Sequence, residues 1–256
     1  STSRRQRQMC IRDSVTVFSF LAGVNFSLMF LSVRGKVKEA LRSEELHWYL
    51  ALFAGSTLFV SLMILPQYGT FLNALRYGSF QVATIMSTTG YATADFNLWP
   101  QAVKALIVVL MFIGSCAGST AGGIKTTTLA VLVLSALASA RGRMRVNTFR
   151  MSIERETLRQ ASSILLIYLG MSLTAILAIC AIEPFGLKAV TFEVVSAIAT
   201  VGLSLGLTPQ LSAASRVILI LLMYAGRIGG LSFVLLFSER RSEPPLDRPT
   251  GKILIG

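Results

Sequence analysis

The sequence predicts an all-α integral membrane protein built from tandem units of helix, short re-entrant helix and helix. Hydrophobic residues make up 53% of the 256 residues and charged residues only 14%, whereas soluble domains are about one quarter charged. Several apolar runs approach the about 20 helical residues that cross a bilayer core. An internal repeat, described next, supplies the tandem organisation.

The repeat places two similar segments 112 positions apart. A constant offset across two helices and a loop indicates a duplicated membrane unit. Each copy contains a Thr-x-Gly sequence at its centre, at 88–90 and 200–202. The matched pairs are Phe80/Phe192, Val82/Val194, Thr88/Thr200, Gly90/Gly202, Leu110/Leu222, Met111/Met223, Gly114/Gly226 and Gly118/Gly230.

The basic residues that give the net charge of +12 are concentrated in three blocks, at 34–42, 141–159 and beyond 240. Each block follows an apolar run, which is typical of cytoplasmic loops. We therefore expect membrane lipid rather than nucleic acid as the surroundings, and a cytoplasmic C-terminus. Cys10, Cys116 and Cys180 have no metal-ligand spacing, and the single histidine adds none.

In chain order, residues 1–13 are predicted to be a non-native or disordered lead, with a native basic segment as the alternative. Val15–Val33 and Trp48–Leu65 are predicted spans, and Pro66 with Gly69 is expected to end the second. Further predicted spans are 102–140, 161–182 and 217–237, which gives five spans in all.

Two shorter apolar segments, 71–86 and 192–200, are predicted to enter the membrane and turn back. The run 102–140 would measure about 58 Å as one helix, nearly twice the bilayer core. Its glycine-rich stretch Gly114–Gly123 is the expected point of interruption.

The turns after the re-entrant helices, Thr88–Tyr91 and Thr200–Leu203, are candidate ion-filter segments. Cation filters present inward-pointing backbone carbonyls, and glycine supplies the unusual torsions that this requires. Thr200-Val201-Gly202 is similar to the Thr-Val-Gly of potassium-channel filters. The alternative is that Thr-x-Gly merely ends a helix, but two copies at equivalent places favour a filter.

Arg227 is predicted to lie at the midpoint of the span 217–237, where a charge is costly. We expect it to face a cavity or a partner, and backbone carbonyls of Gly114–Gly123 are the expected partner. A static structural ion pair is the alternative.

The glycine-rich stretch itself is interpreted as a flexible plug beneath the filter, with helix packing by small residues as the alternative. Its spacing up to Lys125 does not fit a phosphate-binding loop. The candidate gating residues are Gly114, Gly118, Ser119, Thr120, Gly122, Gly123, Lys125 and Arg227.

Three motifs together carry a family resemblance. Ser-Thr-Thr-Gly-Tyr at 87–91 with Asp95, the glycine-rich sequence at 114–125 and Ala-Gly-Arg-Ile-Gly-Gly at 225–230 resemble the membrane subunit of Trk/Ktr potassium transporters, of TrkH/KtrB type. Ala-Gly-Val-Asn-Phe at 22–26 resembles the end of the second repeat of that family. The resemblance implies a potassium-channel-like pore of four helix–pore helix–helix repeats.

On this resemblance, the third filter segment would be Thr88, Thr89, Gly90 and Tyr91, and the fourth would be Thr200, Val201, Gly202 and Leu203. Within these segments K⁺ would bind the backbone carbonyls of Thr88, Thr89, Gly90, Thr200, Val201 and Gly202. The pore is expected to be incomplete, since two of four filter segments are absent, and the chain would be a C-terminal portion. The implied divisions are 14–46 (last helix of the second repeat and a connection), 47–158 (third repeat), 159–240 (fourth repeat) and 241–256 (cytoplasmic tail). Family members form homodimers in the bacterial inner membrane and bind a cytosolic nucleotide-sensing RCK subunit.

The expected function is therefore potassium or monovalent-cation uptake without enzymatic chemistry or an organic cofactor, either channel-like or coupled as a symporter. Sodium permeability and a non-conducting structural subunit are the alternatives. An intramembrane serine hydrolase would use Ser119 and needs a base within hydrogen-bond reach. His47 lies far from Ser119 in the predicted topology, and Lys125 is the other candidate base.

Overall fold

The computed structural model describes residues 2–142, 147–148, 151–152 and 155–229, and most of these are helical. The predicted all-α class is confirmed, with one small addition: strands β1 (Asn147–Thr148) and β2 (Met151–Ser152) form an antiparallel pair. The helices are α1 (Thr2–Ala22), α2 (Phe26–Val33), α3 (Val37–Leu41), α4 (Glu44–Tyr68), α5 (Phe71–Met86), α6 (Gln101–Phe112), α7 (Thr126–Ala140), α8 (Arg155–Ile182), α9 (Leu187–Ile198) and α10 (Ala213–Ile228).

The helices form two units of the same design. In the first unit α5 packs on α4, and in the second α9 packs between α8 and α10. Each short helix is mostly buried, whereas the long helices leave large apolar side chains exposed. Contacts between α6 and α9 join the units. This is the predicted helix–pore helix–helix arrangement, in which α5 and α9 are the re-entrant members.

Helices α4 and α8 are each long and apolar enough to cross a membrane. The predicted span Val15–Val33 is wrong as a continuous helix, because α1 and α2 meet at a bend of 104°. The Asn25 side chain accepts a hydrogen bond from the Ser27 amide at 2.9 Å and so begins α2 as an N-cap. We call residues 22–26 the elbow.

Residues 10–13, which the sequence assigned to a lead segment, lie within α1 and contact α5. The Arg12 guanidinium lies 4.3 Å from the centroid of the Tyr77 ring. Asp13 forms an ion pair with Arg76 at 3.2 Å. This part of α1 therefore packs as an element of the fold.

Three further predictions concern helix ends. The predicted interruption of 102–140 is confirmed, because α6 and α7 are separated by residues 113–125. Pro66 lies inside the last turn of α4, so it does not end that helix, whereas Gly69 does with φ of 72°. Helix α10 ends at Ile228, and the remainder of the predicted span, 230–237, lies outside the described residues, as does the tail 241–256.

Candidate functional site

The two Thr-x-Gly turns share an unusual backbone conformation. Thr88 has φ of 53° and Thr200 has φ of 56°, and in the described part of the chain these are the only non-glycine residues with positive φ. Gly90 and Gly202 follow with φ of 69° and 84°. Left-handed torsions cost energy for a residue with a Cβ. Their recurrence at equivalent positions therefore indicates that the fold imposes the same backbone conformation on both turns.

Both turns are held by the same hydrogen bonds to their pore helix. The Thr89 amide donates to the Thr84 carbonyl at 2.8 Å, and the Val201 amide donates to the Ser196 carbonyl at 2.9 Å. The amides of Thr88 and Thr200 donate, each at 3.0 Å, to the carbonyls three residues earlier. The chain therefore turns away from each helix axis in the same manner, which leaves the later carbonyls outside the helical ladder.

The two turns lie against each other. A side chain at Gly90 would collide with the Val201 carbonyl, so only glycine permits this approach. Val201 and Leu203 are buried, whereas Tyr91 is 58% exposed and Gly202 is also exposed. The structure thus brings all eight predicted filter residues into one region at the boundary between the two units.

The segment between α6 and α7 forms a compact loop that is closed at its base. The Gly114 amide donates to the Ile124 carbonyl at 2.6 Å, and the Ile124 amide donates to the Phe112 carbonyl at 3.1 Å. A short parallel bridge pairs Ile113 with Ile124. Lys125 donates from Nζ to the Ala121 carbonyl. The loop therefore satisfies part of the hydrogen-bonding capacity of its own backbone.

This loop, residues 113–125, lies directly against the two turns. Ser115 Oγ donates to the Met86 carbonyl, at the end of α5, at 2.6 Å. The Gly122 amide donates to Thr88 Oγ1 at 3.1 Å. A Cβ at Gly122 would lie 2.6 Å from the Ala199 carbonyl oxygen, which is closer than real Cβ contacts allow. Glycine is therefore required where the loop passes beneath both turns.

Arg227 reaches the same loop from α10. Its Nη1 donates to the Thr120 carbonyl at 2.7 Å, so the carbonyl contact expected from the sequence is present. Arg227 lies in the last turn of α10. Because 230–237 lies outside the described residues, its place at the middle of the span 217–237 stays a prediction. The preceding residue, Gly226, packs against the carbonyl end of α9, where a Cβ would collide with the Ile198 oxygen.

Two features of the site were missed by the sequence analysis. Glu193 is a buried carboxylate in α9, and it accepts hydrogen bonds from the Leu205 amide at 3.2 Å, from Thr208 Oγ1 at 2.8 Å and from Ser204 Oγ. It therefore fixes the chain that leaves the second turn. An acidic residue in the middle of a mostly apolar short helix, at the position equivalent to Gln81, was the available signal. The second missed feature is the elbow, which contacts the loop.

The geometry gives no support to hydrolase chemistry at Ser119. Its hydroxyl donates to the Cys116 carbonyl at 2.7 Å, and the candidate base Lys125 is directed at the Ala121 carbonyl. His47 lies in the first turn of α4, with Nδ1 2.8 Å from the Ser43 carbonyl. Among the residues that the structure describes, no His, Cys, Asp and Glu cluster suits a metal ion.

These features define a class of protein: a multi-pass membrane protein with duplicated helix–short helix–helix units, paired Thr-x-Gly turns and a glycine-rich loop packed against those turns. The sequence profile of the TrkH family, described as cation transport protein, matches residues 6–244. The chain belongs to this family. Its members are transport proteins, so we set the hydrolase interpretation aside.

Relatives agree with this assignment. The chain is 34% identical over 194 residues to the potassium/sodium uptake protein NtpJ of Enterococcus hirae, covering 73% of this chain and 43% of NtpJ. It is 34% identical over 180 residues to the Ktr system potassium uptake protein B of Bacillus subtilis, covering 70% of this chain and 40% of that protein. The chain thus spans less than half the length of these relatives.

The fold itself matches a solved structure. The crystal structure of the potassium transporter TrkH from Vibrio parahaemolyticus superposes with a TM-score of 0.78, covering 90% of this chain and 52% of that one, at 22% sequence identity. The likeness extends over almost the whole chain and establishes the fold.

Proposed function

We propose that this chain supplies two of the filter segments and the gate of a potassium uptake pathway. The observation that carries the proposal is the pair of left-handed Thr-x-Gly turns that lie against each other above a glycine-rich loop. K⁺ would lose its hydration shell and bind the carbonyl oxygens of 88–90 and 200–202. In this function K⁺ is the transported ion, and no covalent chemistry is required.

Under this proposal the loop 113–125 is the gate and Arg227 its latch. The loop occupies the space beneath both turns, where an ion that leaves the filter would enter the cell. The charge-assisted hydrogen bond from Arg227 to Thr120 fixes the loop from the α10 side. Opening would break this contact and the bond between Gly122 and Thr88, while the closed base at Gly114 could stay intact.

The choice between potassium and sodium is part of the proposal. The names of the similar proteins indicate potassium uptake in Bacillus subtilis and uptake of either ion in Enterococcus hirae. We propose potassium as the preferred ion because Thr200-Val201-Gly202 is similar to the Thr-Val-Gly of potassium-channel filters and both turns place glycine at the third position, with positive φ. Sodium permeability is the alternative, and the experiment below measures both ions.

The assembly that we propose is a homodimer in the bacterial inner membrane, with the basic blocks and the C-terminus in the cytoplasm. A cytosolic RCK-type nucleotide-binding subunit is the proposed regulator, because the resemblance to Trk/Ktr transporters implies such a subunit. Membrane lipid would cover the exposed apolar side chains of α4 and α8.

The test is rubidium uptake in cells that lack their own potassium uptake systems. One strain carries this chain, and a second carries the chain fused behind the N-terminal half of the Bacillus subtilis relative. We expect uptake from the fusion, inhibited by K⁺ more strongly than by Na⁺. Equal inhibition by the two ions would favour the sodium-permeable alternative. Absence of uptake from both, with each protein present in the membrane, would favour a non-conducting structural role.

A filter variant with a matched control sharpens this test. Gly202→Ser in the fusion should weaken the preference for K⁺, because a Cβ opposes the φ of 84° that the turn requires. Gly206→Ser is the control, since Gly206 has φ of 86° and open surroundings but lies beyond the turn. Equal effects of the two substitutions would contradict the assignment of Gly202 to the filter.

A further inference from the structure

We propose that the elbow at residues 22–26 is the seat on which the intramembrane loop closes, and that Asn25 and Glu45 are the positioning residues that hold this seat. The inference rests on the proposed function of the loop as a gate. It extends that function to a part of the chain that lies in neither the filter nor the loop. The observations are the contacts of the elbow with the loop and with α4.

The loop rests on the elbow at several points along its length. At Gly118 the backbone has φ of 70°, and a Cβ there would lie 3.1 Å from Asn25 Oδ1. The loop is therefore shaped to fit the elbow closely. Three hydrogen bonds connect them, each at 3.2 Å: the Cys116 amide to the Gly23 carbonyl, the Phe26 amide to the Gly118 carbonyl, and Thr120 Oγ1 to the Ala22 carbonyl.

These bonds have a second consequence. The bend between α1 and α2 frees backbone groups that a continuous helix would pair, and the loop satisfies some of them. If the loop withdrew, these backbone groups would lose their partners in the loop and would have to form hydrogen bonds with water. The elbow and the closed loop therefore stabilise each other, and a displaced elbow would remove the surface on which the loop closes.

The elbow is in turn held by the first two turns of α4. Asn25 Nδ2 donates to Glu45 Oε2 at 3.1 Å, and Tyr49 Oη donates to the Phe20 carbonyl at 3.0 Å. Glu45 and Tyr49 are four residues apart and so share one face of α4. Gly23 lies so close to Tyr49 that a Cβ there would collide with its hydroxyl.

The hydrogen bond between Asn25 and Glu45 connects the elbow with the first turn of α4. Glu45 Oε1 is buried and has no hydrogen-bond partner among the described residues. Asn25 therefore provides the direct hydrogen bond that fixes this carboxylate. Since α4 begins immediately after the charged connection that contains α3, a displacement of that connection reaches the loop through Glu45 and Asn25.

The test exchanges the polarity of the pair. Asn25→Asp keeps the cap on Ser27 but sets two carboxylates against each other, so the elbow should move away from α4. Glu45→Gln alone keeps an acceptor for Asn25 and should change little. In the double variant the amide introduced at position 45 can donate to the carboxylate introduced at position 25, which restores the hydrogen bond with donor and acceptor exchanged.

The readout is the rate at which Cys116 reacts with a small methanethiosulfonate reagent in membranes. The Cys10→Ser and Cys180→Ser background leaves Cys116 as the single thiol. Cys116 is the loop residue whose amide donates to the Gly23 carbonyl of the elbow, and it is fully buried. We expect Asn25→Asp to raise the rate about tenfold, in keeping with the repulsion of two adjacent charges in partly solvated surroundings. The double variant should return to within about twofold of the parent.

Glu39→Gln is the matched control, because it removes an exposed carboxylate of the same connection, one that pairs with Lys36 and not with the elbow. Its rate should equal that of the parent. An Asn25→Asp rate equal to the parent, or a double variant that is not restored, would overturn the proposal. The labelling does not depend on transport. If Asn25→Asp raised the labelling rate but left rubidium uptake by the fusion unchanged, the proposed gating function of the loop would be refuted, whereas the role of the elbow in positioning the loop would stand.

Discussion

The contact between Arg227 and the loop allows a quantitative prediction for Arg227→Gln. The wild-type guanidinium donates to the Thr120 carbonyl at 2.7 Å from an exposed side chain. Hydrogen bonds of charged groups contribute about 1.5–3 kcal/mol, and exposure to water favours the lower end. Loss of about 1.5 kcal/mol from the closed state corresponds to a roughly tenfold shift in the opening equilibrium, since about 1.4 kcal/mol is one decade.

We therefore expect the fusion that carries Arg227→Gln to take up rubidium up to about tenfold faster than the parent at equal membrane abundance. Under the proposed function, the removal of a positive charge near the cation pathway acts in the same direction. Initial rates over a range of rubidium concentrations separate a change in maximal flux, which we predict, from a change in apparent affinity.

Arg216→Gln is the matched control on the same helix. Arg216 donates from Nη2 to the Pro209 carbonyl at 2.9 Å, so this substitution also removes one charge and one arginine–carbonyl hydrogen bond, but remote from the loop. Its flux should equal that of the parent. An Arg227→Gln flux at or below the parental value, or an equal rise in both variants, would refute the latch.

Three more substitutions test other contacts of the fold. Gly226→Ala should lower the midpoint of thermal unfolding in detergent, because its Cβ would collide with the end of α9 and overpacking costs about 1–3 kcal/mol. The control Gly170→Ala, on α8 with open surroundings, should not lower it. Glu193→Gln should also lower the midpoint and reduce discrimination between K⁺ and Na⁺, since both carboxylate oxygens accept hydrogen bonds from the chain after the second turn and the amide replaces one of them with an NH₂ group that cannot accept; an unchanged midpoint would argue against this role. Hydrogen bonds from the side chain and backbone of Ser212 lower the pKa of Glu183, so its carboxylate stabilises the fold above its ordinary pKa and this contribution is lost as the pH falls through the lowered value. The difference in midpoint between parent and Glu183→Gln should therefore decrease once the pH falls below the ordinary glutamate pKa of about 4.3 and disappear below the lowered pKa, and a difference that does not decrease on acidification would contradict the assignment.

The elements that the sequence predicted well are those whose signals are local. The bounds of α5 agree with the predicted segment 71–86, because apolar spacing begins after Gly69 and ends before the Thr-x-Gly turn. The interruption of 102–140 was predictable from length and glycine content together. The carbonyl contact of Arg227 followed from the cost of a charge among apolar residues and the absence of a nearby carboxylate.

The elements that it predicted poorly depend on contacts between distant segments. The apolar run 15–33 has no proline and enough residues to span, yet it bends because Asn25 caps a new helix and the loop pairs with the freed backbone groups. No periodicity within the run encodes a partner from a loop so distant in the chain. Pro66 similarly lies within α4 and does not end it. Its missing backbone N–H removes a helical hydrogen bond only near the last turn, so the helix continues to Tyr68.

Glu193 shows a different limitation. Glu193 accepts hydrogen bonds from three groups that follow the second turn. These groups reach its carboxylate only when α9 and the succeeding chain have folded. The repeat aligns it with Gln81, whose Nε2 has no hydrogen-bond partner within the described residues. The two units thus share a backbone design while their polar contacts differ, which an offset of matching residues cannot reveal.

The central claim is that the two turns form part of a potassium filter, and its most direct test is ion preference after a change at their contact. The measurement is the ratio of K⁺ to Na⁺ required to inhibit rubidium uptake by half, in the fusion with Gly90→Ala and with the control Gly206→Ala. A Cβ at Gly90 would displace the Val201 carbonyl, whereas one at Gly206 meets open space. We predict that Gly90→Ala abolishes the preference for K⁺ and that Gly206→Ala retains it; a Gly90→Ala fusion that still transports with parental preference would contradict the claim.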